Sequence, residues 1–247
     1  MSAAPGIGSL AGRSVAVAVF GRGIGERLAA GLAARGARVA LLADQPGAVS
    51  GVAVHTVDFA GAASLRRTFE AVAEAQGAIH IIVHASLPDA SLISRPLCAT
   101  SDEQWQAACG QALDASFHCL QALHTSLAGS AGLLVQVGPS LAQCGASGLA
   151  ALSTMSEAQR GLLKSAARQW GRDGIRAVWI ALAASEISAT LAKADLPIRS
   201  EAIPLPLGRV PRLDDDVIDM IAALGGAAGR SVTGLSMTLD GGEWMMP

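Results

Sequence analysis

The chain has 247 residues and a formal net charge of -2, with 51% hydrophobic and 15% charged residues. That balance supplies a sizeable core and excludes a disordered chain. It gives no electrostatic footing for nucleic acid or an anionic membrane surface, and no run approaches the roughly 18 uninterrupted apolar residues of a spanning helix.

Residues 1–12 carry neither a basic opening nor a long apolar run, so they read as a short flexible leader rather than a secretory signal. An apolar strand over 14–20 ends in the turn Gly21-Arg22-Gly23-Ile24-Gly25. A helix over 26–35 follows, with Leu28, Ala29 and Leu32 on one face and Gly36 as its stop. Strands over 38–43 and 52–57, a helix over 64–74 and a strand over 79–84 continue the alternation. A polar loop leads from Pro88 to Ser101, where Ser101 and Gln104 make a capping box for a long helix to about residue 127. A strand over 132–137, a helix over 149–171 and strands over 175–181 and 235–239 complete the pattern. Residues 184–206 read as a lid-like insertion, with Pro197, Pro204 and Pro206 breaking its second half. Short β-branched runs between amphipathic helices give an α/β fold: a Rossmann-like, doubly wound, parallel seven-stranded sheet in one domain over 1–247. Cys98, Cys109, Cys119 and Cys144 lack paired spacing, so they read as reduced, mostly buried thiols of a cytoplasmic protein with no metal site.

Several stretches together carry a resemblance. Leu10-Ala-Gly-Arg13 ahead of the first strand, Arg22-Gly-Ile-Gly25, Val57-Asp58 and Glu103-Gln-Trp105 stand in order. Pro206-Leu-Gly-Arg209 through Asp216-Val217, and Thr233-Gly234 through Asp240-Gly-Gly242, follow. In order and spacing the chain resembles the short-chain dehydrogenase/reductase family from about residue 10 to residue 242. The resemblance implies a catalytic tyrosine and lysine on the helix over 149–171, yet those positions are Leu152 and Ser156, and the chain has no tyrosine at all. The family's serine position falls on Pro139 and its water-holding asparagine on Ala112. A phenol beside a lysine can exchange a proton near neutral pH; leucine, proline and alanine cannot, and serine carries no charge. The catalytic set is therefore read as none, with Ala112, Pro139, Leu152 and Ser156 as degenerate positions.

The cofactor turn departs as well. Val19 stands where the family has its first glycine, and Phe20 adds bulk to the same pocket. Gly21, Gly23 and Gly25 still open a helix N-terminus where an anion could sit, or form a plain strand-to-helix connection. Asp58 resembles the acidic position that contacts adenine. Asp44 reads as a solvated turn residue, and His84 as a hydrogen-bonded structural histidine rather than a base. Asp114 and His118 have the spacing of a helical pair, whereas His118 and His124 do not share a face at metal-ligand spacing. Ser147 and Ser153 have no visible partners, and Lys164 and Lys193 lie outside the catalytic spacing.

In the family, two long helices and the C-terminal segment form subunit interfaces. Ala108, Ala112, Ala115 and Phe117, with Leu162, Leu163, Ala166 and Trp170, supply small and apolar surfaces for such packing or for the chain's own core. The apolar tail Trp244-Met-Met-Pro247 is costly to leave in water. Lost chemistry beside intact assembly segments implies a non-catalytic subunit. Its partner would be an active short-chain dehydrogenase paralogue, in a heterotetramer that oxidises a hydroxyacyl-CoA with NAD held by the active chain. The alternative is a nucleotide- or acyl-CoA-binding sensor without a catalytic partner.

Overall fold

A computed structural model describes residues 9–193 and 205–245. Seven parallel strands form one sheet: β1 (Ser14–Phe20), β2 (Arg38–Ala43), β3 (Ala53–Thr56), β4 (Ile81–Ser86), β5 (Leu133–Pro139), β6 (Arg176–Leu182) and β7 (Ser236–Leu239). Their order is β3-β2-β1-β4-β5-β6-β7, so the winding reverses between β1 and β4. Ala18 lies level with Leu42 on one side and His84 on the other. In such sheets the crevice beyond the strand ends at the reversal is where a site can be built.

The central strands are apolar on both faces because helices cover both. Val15, Val17 and Val19 face one cluster, and Ala16 and Ala18 face the other. The first cluster is closed by α1 (Ile24–Ala34), α8 (Ile218–Gly225) and one end of α5 (Ala150–Trp170). The second is closed by α2 (Ala62–Gln76), α4 (Gln111–Ala128) and the other end of α5. Each fully buried Leu or Ile in these layers contributes roughly 1.5–3 kcal/mol relative to exposure.

Four sequence expectations change. Residues 9–12 are not a free leader: Leu10 is buried in the first cluster, and its N–H donates to the Arg35 carbonyl at 2.9 Å. Residues 1–8 lie outside the described residues. The helix expected from 101 to 127 is interrupted. Ser101 and Gln104 do form the capping box, but the short α3 (Asp102–Trp105) passes into a wide π turn, Gln106–Gly110, before α4. The 184–206 segment begins with regular structure, α6 (Ala184–Ile187) and α7 (Ala189–Lys193); its proline-containing stretch over 194–204 lies outside the described residues. Helix α8 had no counterpart in the periodicity, because the acidic π turn Leu213–Val217 leads into it.

Candidate functional site

Near the ends of β5 and β6 the positions that the resemblance singled out are buried. Leu152 and Met155 on α5 are fully buried and Ser156 is 1% exposed. Leu152 packs in one apolar cluster with Ala112, Leu141, Leu182, Ile187 and Leu191. Pro139 is the last residue of β5, level with Leu182. The fold thus brings the four degenerate positions to one end of the sheet. None of their side chains can exchange a proton near neutral pH. The buried hydroxyls of Ser140 and Ser156 have no hydrogen-bond partner, and neither has that of Ser153.

A buried polar chain runs behind this cluster. His84 Nδ1 lies 2.8 Å from the Ala18 carbonyl, which can only accept, so Nδ1 carries the proton. Nε2 is then an acceptor in the neutral ring and takes the Ser116 hydroxyl at 3.1 Å. Gln136 Nε2 donates to Ser116 Oγ at 2.8 Å and to Gln159 Oε1 at 3.0 Å. Gln159 Nε2 in turn donates to the Ser86 carbonyl at 3.1 Å, and Ser86 Oγ donates to the Ala112 carbonyl at 2.8 Å. Complete burial pushes the His84 pKa down to about 4, opposed in part by its bond to Ala18. His84 is therefore a neutral, hydrogen-bonded structural group and not a base. The rest of the chain, spread over β4, β5, α4 and α5, had no sequence signal.

The Gly21–Gly25 turn is folded inward. Gly21 has φ of +103°, and a Cβ there would stand 2.2 Å from the Leu87 carbonyl oxygen, so only glycine fits. Its N–H donates to Asp44 Oδ1 at 3.0 Å. Asp44 is thus a tether of the turn, which corrects its reading as a solvated residue. Val19 packs beneath the helix opening, 3.4 Å from the position of a Gly25 Cβ, and the Ile187 carbonyl lies 3.7 Å from that of Gly23. Phe20 does not share the Val19 pocket. Successive strand residues face opposite sides, and Phe20 packs on Phe59 with centroids 5.6 Å apart.

A latch that the sequence did not reveal holds α6 on α1. Arg27 bonds the Glu186 carboxylate at 2.7 Å and its carbonyl at 2.8 Å, and reaches Asp214 at 3.0 Å. Glu186 also accepts the Leu213 N–H at 2.8 Å, and the Arg27 guanidinium holds the Asp214 carboxyl below its usual range.

On the other side of the sheet a cavity of about 560 Å³ opens between the ends of β1 and β2, the β3–α2 loop and α4. Phe20, Phe59, Asp44, Asp58, Asp114 and His118 are among its lining residues. Asp58 Oδ1 accepts the Ala60 N–H at 2.8 Å. Asp114 and His118 do not pair; His118 Nδ1 donates instead to the Phe59 carbonyl at 2.9 Å, and His124 bonds Asp173 at 3.0 Å. A second hollow of about 590 Å³ lies between α4 and α5, lined in part by Phe117, Leu162 and Trp170. Phe117 is 46% exposed, whereas Ala108, Ala112, Ala115, Leu163 and Ala166 are buried in the chain's own core. The expected assembly surface is correspondingly narrower.

Cys109 and Cys119 are buried, Cys144 is half-buried and Cys98 is exposed, all four as free thiols; burial pushes the Cys119 thiol far up. Among the described residues no group of His, Cys, Asp and Glu could hold a metal ion, and no helix is long and apolar enough to cross a membrane.

Residues 18–243 match the family model described as Enoyl-(Acyl carrier protein) reductase. No curated protein matches the chain. Among solved structures, a 3-ketoacyl-(acyl-carrier-protein) reductase from Brucella melitensis complexed with NADH is similar at 20% identity and a TM-score of 0.79, covering 95% of this chain and 99% of its own. A dehydrogenase/reductase from Sinorhizobium meliloti 1021 is similar at 26% identity and a TM-score of 0.77, over 96% and 97% of the two chains.

Proposed function

This chain belongs to the short-chain dehydrogenase/reductase family, and we propose that within it the chain is a non-catalytic subunit that assembles with an active paralogue. The observation that carries this reading is the packing around Leu152 and Ser156. Where the family resemblance calls for a proton-exchanging pair, the chain buries a leucine and an uncharged hydroxyl. A leucine side chain has no exchangeable proton, and an uncharged serine cannot supply the cation that would tune a phenol beside it.

The residues of the turn do not fit a dinucleotide in this chain. Val19 fills the space beneath the helix opening, and the Gly21 N–H is already taken by a carboxylate. On this reading NAD is held by the active partner, and no step of hydride transfer runs through this chain. The exposed Phe117 and the half-buried Leu162 and Trp170, flanking a hollow between two long helices, supply an apolar surface for the partner.

The complex is read as a cytoplasmic heterotetramer oxidising a hydroxyacyl-CoA alcohol to a ketone. The assay substrate of choice is 2-[hydroxy(phenyl)methyl]succinyl-CoA, the hydroxyacyl-CoA of anaerobic toluene degradation. The test is co-expression with an intact short-chain paralogue encoded beside this chain. Native mass spectrometry is expected to give a mixed tetramer, and NAD reduction is expected from the pair but not from this chain alone. A stable homotetramer that ignores the paralogue, or hydride transfer by the isolated chain, refutes the proposal. The sensor alternative predicts uptake of NAD or a CoA ester by the chain alone.

A further inference from the structure

We propose that α6 and α7 form a strap that this chain locks shut over its own Gly21–Gly25 turn, so that the closed arrangement is reached with no ligand bound. The inference rests on the reading that the turn takes no dinucleotide, and not on assembly with a partner.

Neither helix can hold itself. With 4 residues in α6 and 5 in α7, both fall far below the roughly 12 at which an isolated helix becomes even marginal in water. Their order therefore comes from what they are fastened to. Ser188 starts α7 by accepting the Thr190 N–H on its hydroxyl at 3.1 Å. Leu191 is fully buried and Ile187 is 4% exposed, so each helix sends an apolar side chain into the first core cluster. The polar fastening is Arg27 on α1. Four of its five N–H groups are bonded within the chain: two grip the Asp214 carboxylate at 3.0 Å each, one reaches the Glu186 carboxylate at 2.7 Å and one its carbonyl at 2.8 Å. Glu186 is fixed from the other side by the Leu213 N–H at 2.8 Å, and its side chain is 17% exposed. A fork of charge-assisted bonds fixes direction as well as distance. One residue of α1 thus ties the strap to the turn that leads into α8.

The strap also meets the Gly21–Gly25 turn itself. The Ile187 carbonyl oxygen stands 3.7 Å from the place a Cβ would take at Gly23, and the Gly21 N–H is held by Asp44. An anion approaching the opening of α1 meets two oxygens of the chain's own, a carbonyl and a carboxylate, where it would need N–H donors. A strap waiting for a ligand would leave its anchors in water until the ligand came. Here the anchors are already joined, and what closes the turn is part of the chain.

The test is hydrogen exchange read by mass spectrometry on the full chain, alone and with millimolar NAD or ADP. Residues 184–193 are expected to be protected in the ligand-free chain, and neither nucleotide should change their exchange. Glu186→Gln and Arg27→Gln should each speed exchange over 184–193 by about fivefold, the size set by a half-solvated ion pair, and leave β1 unchanged. Exchange over 184–193 at the rate of an open segment in the natural chain overturns the proposal, as does an unchanged rate in both variants. Slowing of that exchange by NAD or ADP overturns it too, and with it the reading of the turn. An open segment that ignores both nucleotides overturns the strap alone.

Discussion

His84 makes the interior of this protein sensitive to acid, and the size of the effect follows from its surroundings. The ring is fully buried, with its proton on Nδ1 toward Ala18 and its Nε2 receiving the Ser116 hydroxyl. Its pKa is held down to about 4, from an ordinary value of 6.5. A group whose folded pKa lies below its unfolded value is protonated more readily in the unfolded chain. The neutral histidine therefore costs nothing above pH 6.5; stability is lost as pH falls from there toward 4, and the loss levels off below. The span of about 2.5 pKa units corresponds to about 3 kcal/mol at its full extent. Urea unfolding of the natural chain and of His84→Gln, at steps from pH 7.5 to pH 4, isolates the term. His80, also pushed down by burial, contributes to both proteins and drops out of the difference. The stability advantage of the natural chain over the variant is expected to shrink by about 3 kcal/mol across that window. A difference that stays flat refutes the buried neutral assignment.

Restoring the family's pair with Leu152→Tyr and Ser156→Lys is expected to yield no NAD reduction, because Pro139 and Ala112 still lack donors. Overpacking and a buried charge should also lower Tm, by about 1–3 kcal/mol of stability for the tyrosine alone, as thermal unfolding will record. Leu152→Ala leaves a cavity in the packed cluster and should cost about 2–5 kcal/mol in urea unfolding. Arg27→Gln releases α6: hydrogen exchange over residues 184–193 should accelerate, while global stability changes by no more than about 1 kcal/mol because the guanidinium is partly solvated. Phe117→Arg should abolish the mixed tetramer in native mass spectrometry and leave the Tm of the isolated chain nearly unchanged.

The sheet was legible because its strands, buried on both faces, are short continuous apolar runs, and because Ser101 with Gln104 marks a helix start by local hydrogen bonding alone. The loss of exchangeable groups at Leu152 and Pro139 could be read directly, since it depends on residue type. Their burial could not, because it rests on the packing of segments distant in sequence. The latch escaped notice for the same reason: Arg27 and Glu186 are 159 residues apart. The π turn at Gln106–Gly110 adds a residue to one helical turn and rotates everything beyond it. Of the residues offered as interface or core contacts on this stretch, Ala108 and Ala112 are buried in the core and Phe117 stays exposed. Asp44 read as a turn residue because its bond to Gly21 spans 23 positions and leaves no local pattern.

The pairing of β1 with β4, rather than with β2 alone, sets an order of assembly on the ribosome. Ser14 to Phe20 emerge early, yet their second neighbour is supplied only by residues 81–86. Until then one edge of the most apolar strand stands open, able to template pairing with another chain. The chain is thus most vulnerable before its own centre has closed.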